Sequence, residues 1–198
     1  MAGPWYIGQR KKVRGPFSLN YKHTFSMEHL YKRLHAWLVD EGYGGDDKWM
    51  EKLYLERMLA PGVKQIWIWW RPTKGSDNNF FKFDLEIDFH ALGLTQKEIV
   101  HEGEKFKINA GEIEVFITAH MWVDPKKTWN KHWLMKYKYL QDYFLNKIYR
   151  HKIEEEEEKF VKDITRLLGA IKQYYQLDSY LKEYQEEPFQ PRKGLYEK

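Results

Sequence analysis

Residues Lys82 to His90 read KFDLEIDFH, with Phe83, Leu85, Ile87 and Phe89 alternating with Asp84, Glu86, Asp88 and His90. A period of two is the mark of a strand with one face in a core and the other in water. Ile113 to Val123 repeats the scheme: Ile113, Val115, Ile117, Ala119, Met121 and Val123 fall on one side, Glu112, Glu114, Thr118, His120 and Asp124 on the other. Two such segments in one chain demand an antiparallel layer whose apolar side is covered by something else.

The remaining pattern supplies the cover. Pro16 to Thr24 is a candidate first strand. Ser26 then caps a helix to about Asp40, carrying Leu30, Leu34, Trp37 and Leu38 at helical spacing and ended by Gly42 to Asp47. Trp49 to Met58 and Val63 to Arg71 flank Pro61-Gly62 and read as a hairpin, followed by a polar turn from Thr73 to Asn79. Glu104 to Asn109 alternates as well, and Ala110-Gly111 suggests a tight turn that would set Lys107 opposite Glu114. Between Pro125 and Pro188 no proline interrupts a run of helix formers. Trp133, Tyr137, Leu140, Phe144 and Ile148 make one stripe there, and Phe160, Ile164, Leu167, Ile171 and Tyr174 make another, rotated by roughly 120° at about 100° per residue. The acidic run Glu154 to Glu158 between them is expected to be a solvated bridge or hinge.

These elements predict an α+β fold: a curved antiparallel sheet of about six strands packed on a long C-terminal helix, helix-grip-like, with an additional C-terminal helical extension. The expected divisions are a basic N-terminal arm over 1–15, the α+β body over 16–150, a helical extension over 151–184 and a tail over 185–198. With 198 residues, 42% of them hydrophobic, the chain is long enough to bury one substantial core. The opening residues lack the apolar stretch of a secretory signal, and no run reaches the roughly 18 apolar residues of a membrane span, so a cytoplasmic location is the expectation.

Charge is unevenly placed. The net +4 is carried by Arg10, Lys11, Lys12 and Arg14, since the other 29 bases are balanced by 29 acids. A second basic region runs from Lys126 to Lys152, where eight Lys or Arg accompany the single acid Asp142. Lys127, Lys131 and Lys138 lie near one helical face there, interleaved with Trp129, Trp133, Tyr137 and Tyr139. Such a mixture grips phosphates and stacks on bases, or lies in a lipid headgroup layer, or is a plain amphipathic helix with solvated lysines.

Acid and imidazole groups on Asp84, Glu86, Asp88 and His90 of one strand, with His120 and Asp124 on another, invite a catalytic or metal reading, above all through Asp88, His90 and His120. Residues at i, i+2 and i+4 stand roughly 7 Å apart along a strand, however, so a cross-strand charge ladder with Lys105 and Lys107 is the plainer expectation. There are no cysteines, HExxH spacing, Walker loop, GxGxxG or nucleophile elbow. No catalytic residue, metal ligand or cofactor is therefore assigned. In VKQIWIWWR, Trp67 and Trp69 share one face while Ile66, Ile68 and Trp70 share the other, which reads as a strand covered on both sides or as a ligand-contacting cluster.

The order strand at 16–24, helix from Ser26, antiparallel strands ending at Asp124 and helix from Trp129 resembles START-like (SRPBCC) helix-grip domains over residues 16 to about 150. The resemblance is one of element order; no signature residues match, one helix rather than two follows the first strand, and the helix beyond Ile153 is extra. It implies a sheet wrapped on a helix around an apolar cavity. The leading expectation is a non-catalytic binding protein holding a small hydrophobic ligand among Trp67, Trp69, Phe83, Leu85, Ile87, Val115, Ile117, Trp133, Tyr137, Leu140 and Phe144. The alternatives are an adaptor that binds nucleic acid or acidic membrane through the basic segments, and a homo-oligomer formed through Phe160, Ile164, Leu167 and Ile171.

Overall fold

The two alternating segments become the longest strands of the protein. A computed structural model describes residues 4–44, 50–76, 80–101 and 104–183; the expected tail over 185–198, and parts of the expected turns at 45–47 and 77–79, lie outside the described residues. In chain order the elements are β1 (Arg10–Phe25), α1 (Met27–Asp40), β2 (Glu51–Ala60), β3 (Val63–Trp70), β4 (Thr73–Gly75), β5 (Phe81–His101), β6 (Glu104–Val123), α2 (Lys138–Tyr143) and α3 (Arg150–Glu183). All strand pairs are antiparallel, in the order β1-β6-β5-β3-β2, with the short β4 on β5. The fold is thus the expected α+β class, a six-stranded sheet with a long C-terminal helix.

Register puts like with like. Phe83 faces Met121, Leu85 faces Ala119, Ile87 faces Ile117 and Phe89 faces Val115, so the apolar members of β5 and β6 form one continuous inner face. All eight are buried. β3 adds Ile66, Ile68 and Trp70 to that face. Trp70 is sealed by edge contacts with Tyr31 and Phe89, at 4.8 and 4.9 Å between ring centroids.

The helix that covers this layer is α3. Ile153, Phe160, Ile164, Leu167, Ile171 and Tyr174 recur at three, four and seven residues and are all buried, with the Phe160 ring 4.9 Å from Phe83. Fully burying each such side chain contributes about 1.5–3 kcal/mol. Polar groups fix the helix along its length. The Tyr43 hydroxyl donates to Asp163, Arg166 makes two bonds to Glu41, and the Tyr174 hydroxyl donates to the Ser26 carbonyl. α1 begins at its expected cap, with the Ser26 side chain accepting from the His29 amide, and buries Leu30, Leu34 and Leu38.

Three expectations are corrected here. α3, Arg150–Glu183, is the closing helix rather than the extension expected over 151–184, and Phe160, Ile164, Leu167 and Ile171 belong to the core rather than to an exposed association stripe. Two stripes out of phase on one rod cannot face the same layer; the sheet takes the second, and the first half breaks into short turns at Thr128–Lys131, Trp133–Lys136 and Phe144–Ile148 around α2. Second, Arg10 to Arg14 are not an arm, because β1 starts at Arg10 and continues the pairing with β6 from Trp122 onward.

Third, Ala110-Gly111 is not a hairpin turn but the interior of β6. Lys107 is accordingly registered opposite Glu98, and Glu114 opposite His90. Glycine is required at 111 for a different reason. The β5 register slips between Leu92 and Thr95, Gly93 sits at φ +61°, and a side-chain carbon on Gly111 would stand 2.8 Å from the Leu92 carbonyl oxygen. Gly111→Ala is therefore expected to destabilise the fold by about 1–3 kcal/mol, read as a lowered denaturant midpoint.

Candidate functional site

The chamber expected between sheet and helix is filled. Leu85, Ile87, Val115 and Ile117 are each at most 1% exposed, and Phe83 is buried against Phe160. Trp67 and Trp69 lie on the opposite face of the sheet, and Trp133, Tyr137 and Leu140 point to solvent beyond the end of β6. Phe144, the last of the eleven residues expected around one ligand, packs instead on Trp129 and Tyr149, so the set falls in four places, because α3 and not the Trp133 segment closes the layer.

Space survives at one end of the α3–sheet junction. A cleft of about 520 Å³ has Phe80, Phe81, Phe83, Tyr149 and Phe160 in its wall and Lys74, Lys152, Lys159, Glu156 and Asp163 around it. Its ions are mutually engaged: Lys74 reaches Asp163 at 3.3 Å, and Lys152 and Lys159 both contact the Glu155–Glu156 pair. Hydrogen bonds from Lys159 and Lys152 hold the exposed Glu155 carboxyl down at about 2. The acidic run is thus part of α3, stapled to its own lysines.

The outer face of the sheet carries the polar alternates. The expected charge ladder exists, with different cations, since β5 pairs directly with β6 and the Lys105–Lys107 stretch does not intervene. Arg10 crosses from β1 to donate to Glu86 at 2.6 Å and approaches Asp84 at 3.8 Å, Lys82 lies 3.3 Å from Asp84, and Arg71 donates to Asp88 at 2.5 Å. Burial acts to raise the Glu86 carboxyl, but the Arg10 guanidinium outweighs it and leaves the group below its ordinary value. Asp88, His90 and His120 do not converge: His120 is opposite Asp84, six positions along β5 from His90, which is roughly 20 Å at about 3.3 Å per residue. Among the described residues no group of three or more His, Asp or Glu side chains is gathered for a metal ion.

Aromatic side chains interrupt this polar face. Trp67 stacks on His90 at 5.2 Å, and His90 Nε2 lies 2.9 Å from Gln65 Nε2. Trp69 is 44% exposed, so β3 is covered on its inner face alone, contrary to the doubly covered strand expected from its sequence.

The most distinctive surface is the stretch from Lys126 to Arg150. Its base is Asp124, fully buried at φ +46°, whose carboxylate accepts from the amides of Thr128 and Trp129 and from the Thr128 hydroxyl, each at 2.8 Å. Trp129 then packs inward on Phe80, Phe144 and Tyr149. Beyond this anchor Trp133 is 72% exposed and Tyr139 80%, and Tyr137, Tyr143 and Ile148 are more than half exposed, with Lys126, Lys127, Lys131, Lys136, Lys138 and Lys147 exposed among them.

The N-terminal segment docks here too. Asn146 accepts from the Trp5 amide and donates to its carbonyl, the Gly8 amide donates to the Val123 carbonyl, and the Lys127 stem lies over Gly8. The two basic segments therefore meet at one corner of the protein. Their charges are not equivalent: Arg10 is spent on Glu86, and Lys11 lies 4.2 Å over the Trp5 ring, its ammonium pushed down chiefly by burial. Lys12 and Arg14 stay exposed. The periodicity of the sequence marked the stripe from Trp133 but not which way it faces; Ile153, which begins the buried stripe of α3, was the missing signal.

No family model matches the chain, and neither a curated protein nor a solved structure is significantly similar to it. No helix of the described residues is long and apolar enough to cross a membrane.

His120 offers a test of the ladder. Burial, then Arg10, lower its imidazole from the ordinary value of 6.5 against the opposing pull of Glu86 and Asp84, and its Nδ1 is buried without a hydrogen-bond partner. The unfolded chain thus binds this proton more readily than the folded one, so stability is lost as pH falls through 6.5 toward the lowered value. The stability difference between the protein and His120→Gln, followed by denaturation from pH 8 to 5, is expected to shift against the unmodified protein on the acid side; a difference independent of pH would remove the assignment.

Proposed function

We propose that the protein is a peripheral adaptor that docks on an acidic membrane surface, at a cytoplasmic leaflet, through the segment Lys126–Arg150. The observation that carries this reading is the outward exposure of Trp133, Tyr137, Leu140 and Ile148, four of the five residues whose spacing marks an apolar stripe, the fifth, Phe144, packing inward on Trp129, in a region with one acid. Exposed apolar side chains that the core does not use, interleaved with lysines, have the composition of an interfacial segment: rings enter the headgroup layer while ammonium groups stay at its surface. Exposed Leu140 and Ile148 favour lipid over nucleic acid, since aliphatic groups do not stack on bases.

Flotation or sedimentation with vesicles of phosphatidylcholine, with and without phosphatidylserine, tests this. Binding is expected to require the anionic lipid and to fall with salt. Each of Lys131→Glu and Lys138→Glu is expected to weaken it by roughly tenfold or more, at about 1 kcal/mol per basic residue near such a surface. Trp133→Ala is expected to weaken it with little effect on salt dependence. Indifference to lipid charge, or binding to single-stranded nucleic acid with the same residue dependence, defeats the reading.

A second reading rests on the cleft of about 520 Å³. We propose that the helix-grip likeness extends to ligand binding there, for a small hydrophobic molecule bearing an acid, its body against Phe81 and Phe83 and its charge toward Lys152 and Lys159. Saturable binding of anilinonaphthalene sulfonate that Lys159→Glu weakens and Lys138→Glu leaves unchanged is the expected result; binding insensitive to Lys159 removes this reading.

A further inference from the structure

The two edges of the sheet are unlike. β1 is irregular, with register shifts between Lys12 and Arg14 and between Arg14 and Phe17 and a proline at 16, all of which hinder addition of another strand. Among the described residues β2 pairs with β3 alone; it contains no proline and runs in regular register from Leu53 to Met58, with shifts at its two ends, between Glu51 and Leu53 and between Met58 and Ala60. Its apolar side chains stand out from both faces: Met58 is 65% exposed, and Tyr54, Leu55 and Leu59 about half. A strand of this kind is a template for another strand.

Its sequence selects what that strand is. A two-fold axis normal to a sheet pairs an edge strand with its own copy, each residue i meeting a residue on the same face, so the axis must pass through a residue position. Centring it on Glu56 or Arg57 sets like charges against each other, and centring it on Leu53, Leu55 or Met58 pairs no charges. Centred on Tyr54, the register sets Lys52 against the copy's Glu56, and Leu53 against its Leu55, each twice. Glu56 already holds Lys64 at 2.6 Å, so the second lysine completes a cation pair around it. On the outer face the rows then read Trp69, Leu53, the copy's Leu55 and the copy's Trp67, joining two apolar patches that are half open to water in one chain.

We infer that the protein forms a two-fold dimer by antiparallel pairing of β2 with β2 about Tyr54, making one sheet continuous across both copies. Among the described residues the other free edges are the three-residue β4 and the broken β1, neither a second regular template, so the association closes at two chains. It does not depend on the proposed membrane docking, which uses other residues.

Sedimentation equilibrium of the full chain without lipid tests it. The protein is expected to dimerise, and Lys52→Glu or Glu56→Lys alone to weaken dimerisation by about tenfold or more, since each places like charges directly opposite. The double variant carrying both changes restores the opposite-charge pairing and is expected to recover the dimer. Circular dichroism checks that each variant is folded, both positions being on an exposed strand. A monomer at every concentration overturns the inference. So does a dimer that ignores the single changes, which would place the contact elsewhere, and so does a failure of the double variant to recover, which would mark the edge as suited to a different partner.

Discussion

Direct antiparallel pairing of β5 with β6 is the constraint from which the rest follows. It runs from Phe81 opposite Val123 to His101 opposite Glu104, broken once at the Leu92–Thr95 slip. Because both strands alternate with the same phase in this register, one face becomes continuously apolar and the other continuously polar. The apolar face obliges a helix to cover it, and α3 presents six buried residues at matching spacing. The polar face is then left to settle its own charges, which Arg10, Lys82 and Arg71 do from neighbouring positions. A competing arrangement, with the Glu104–Asn109 stretch as a separate strand, would have put Lys107 beside Glu114 and shortened the covered face.

Much of this was legible from residue order. The N-cap at Ser26, the hairpin about Pro61-Gly62 and the facing of Phe83 through Phe89 are local properties, written in spacing and turn chemistry. What was not legible depends on comparison between distant segments. Ala110-Gly111 has the composition of a turn, and only the approach of the Leu92 carbonyl shows why glycine is there. Two amphipathic stripes compete for one sheet, and the winner is settled by packing against Tyr43, Phe83 and Tyr21, which no window of sequence contains.

The same competition explains where function is sought. Residues expected to line a ligand were assigned on the premise that the Trp133 segment closes the sheet. Once α3 takes that place, the inner residues are core, and Trp133, Tyr137, Tyr139 and Tyr143 are left exposed while Phe144 and Tyr149 pack inward on Trp129. Convergence of the N-terminal basic residues with Lys127 was likewise invisible, since it depends on Trp5 clasping Asn146 across 141 positions of chain.

Asp124 lies at the seam between the rigid layer and that exposed segment. Its carboxylate holds two amides and a hydroxyl of the first turn, and Trp129 wedges the next residues against Phe80 and Tyr149. The segment therefore leaves the sheet in a direction set before any encounter. Part of the ordering entropy that a floppy basic tail surrenders on contact is already lost in folding, so the proposed docking would need fewer contacts than charge alone would suggest.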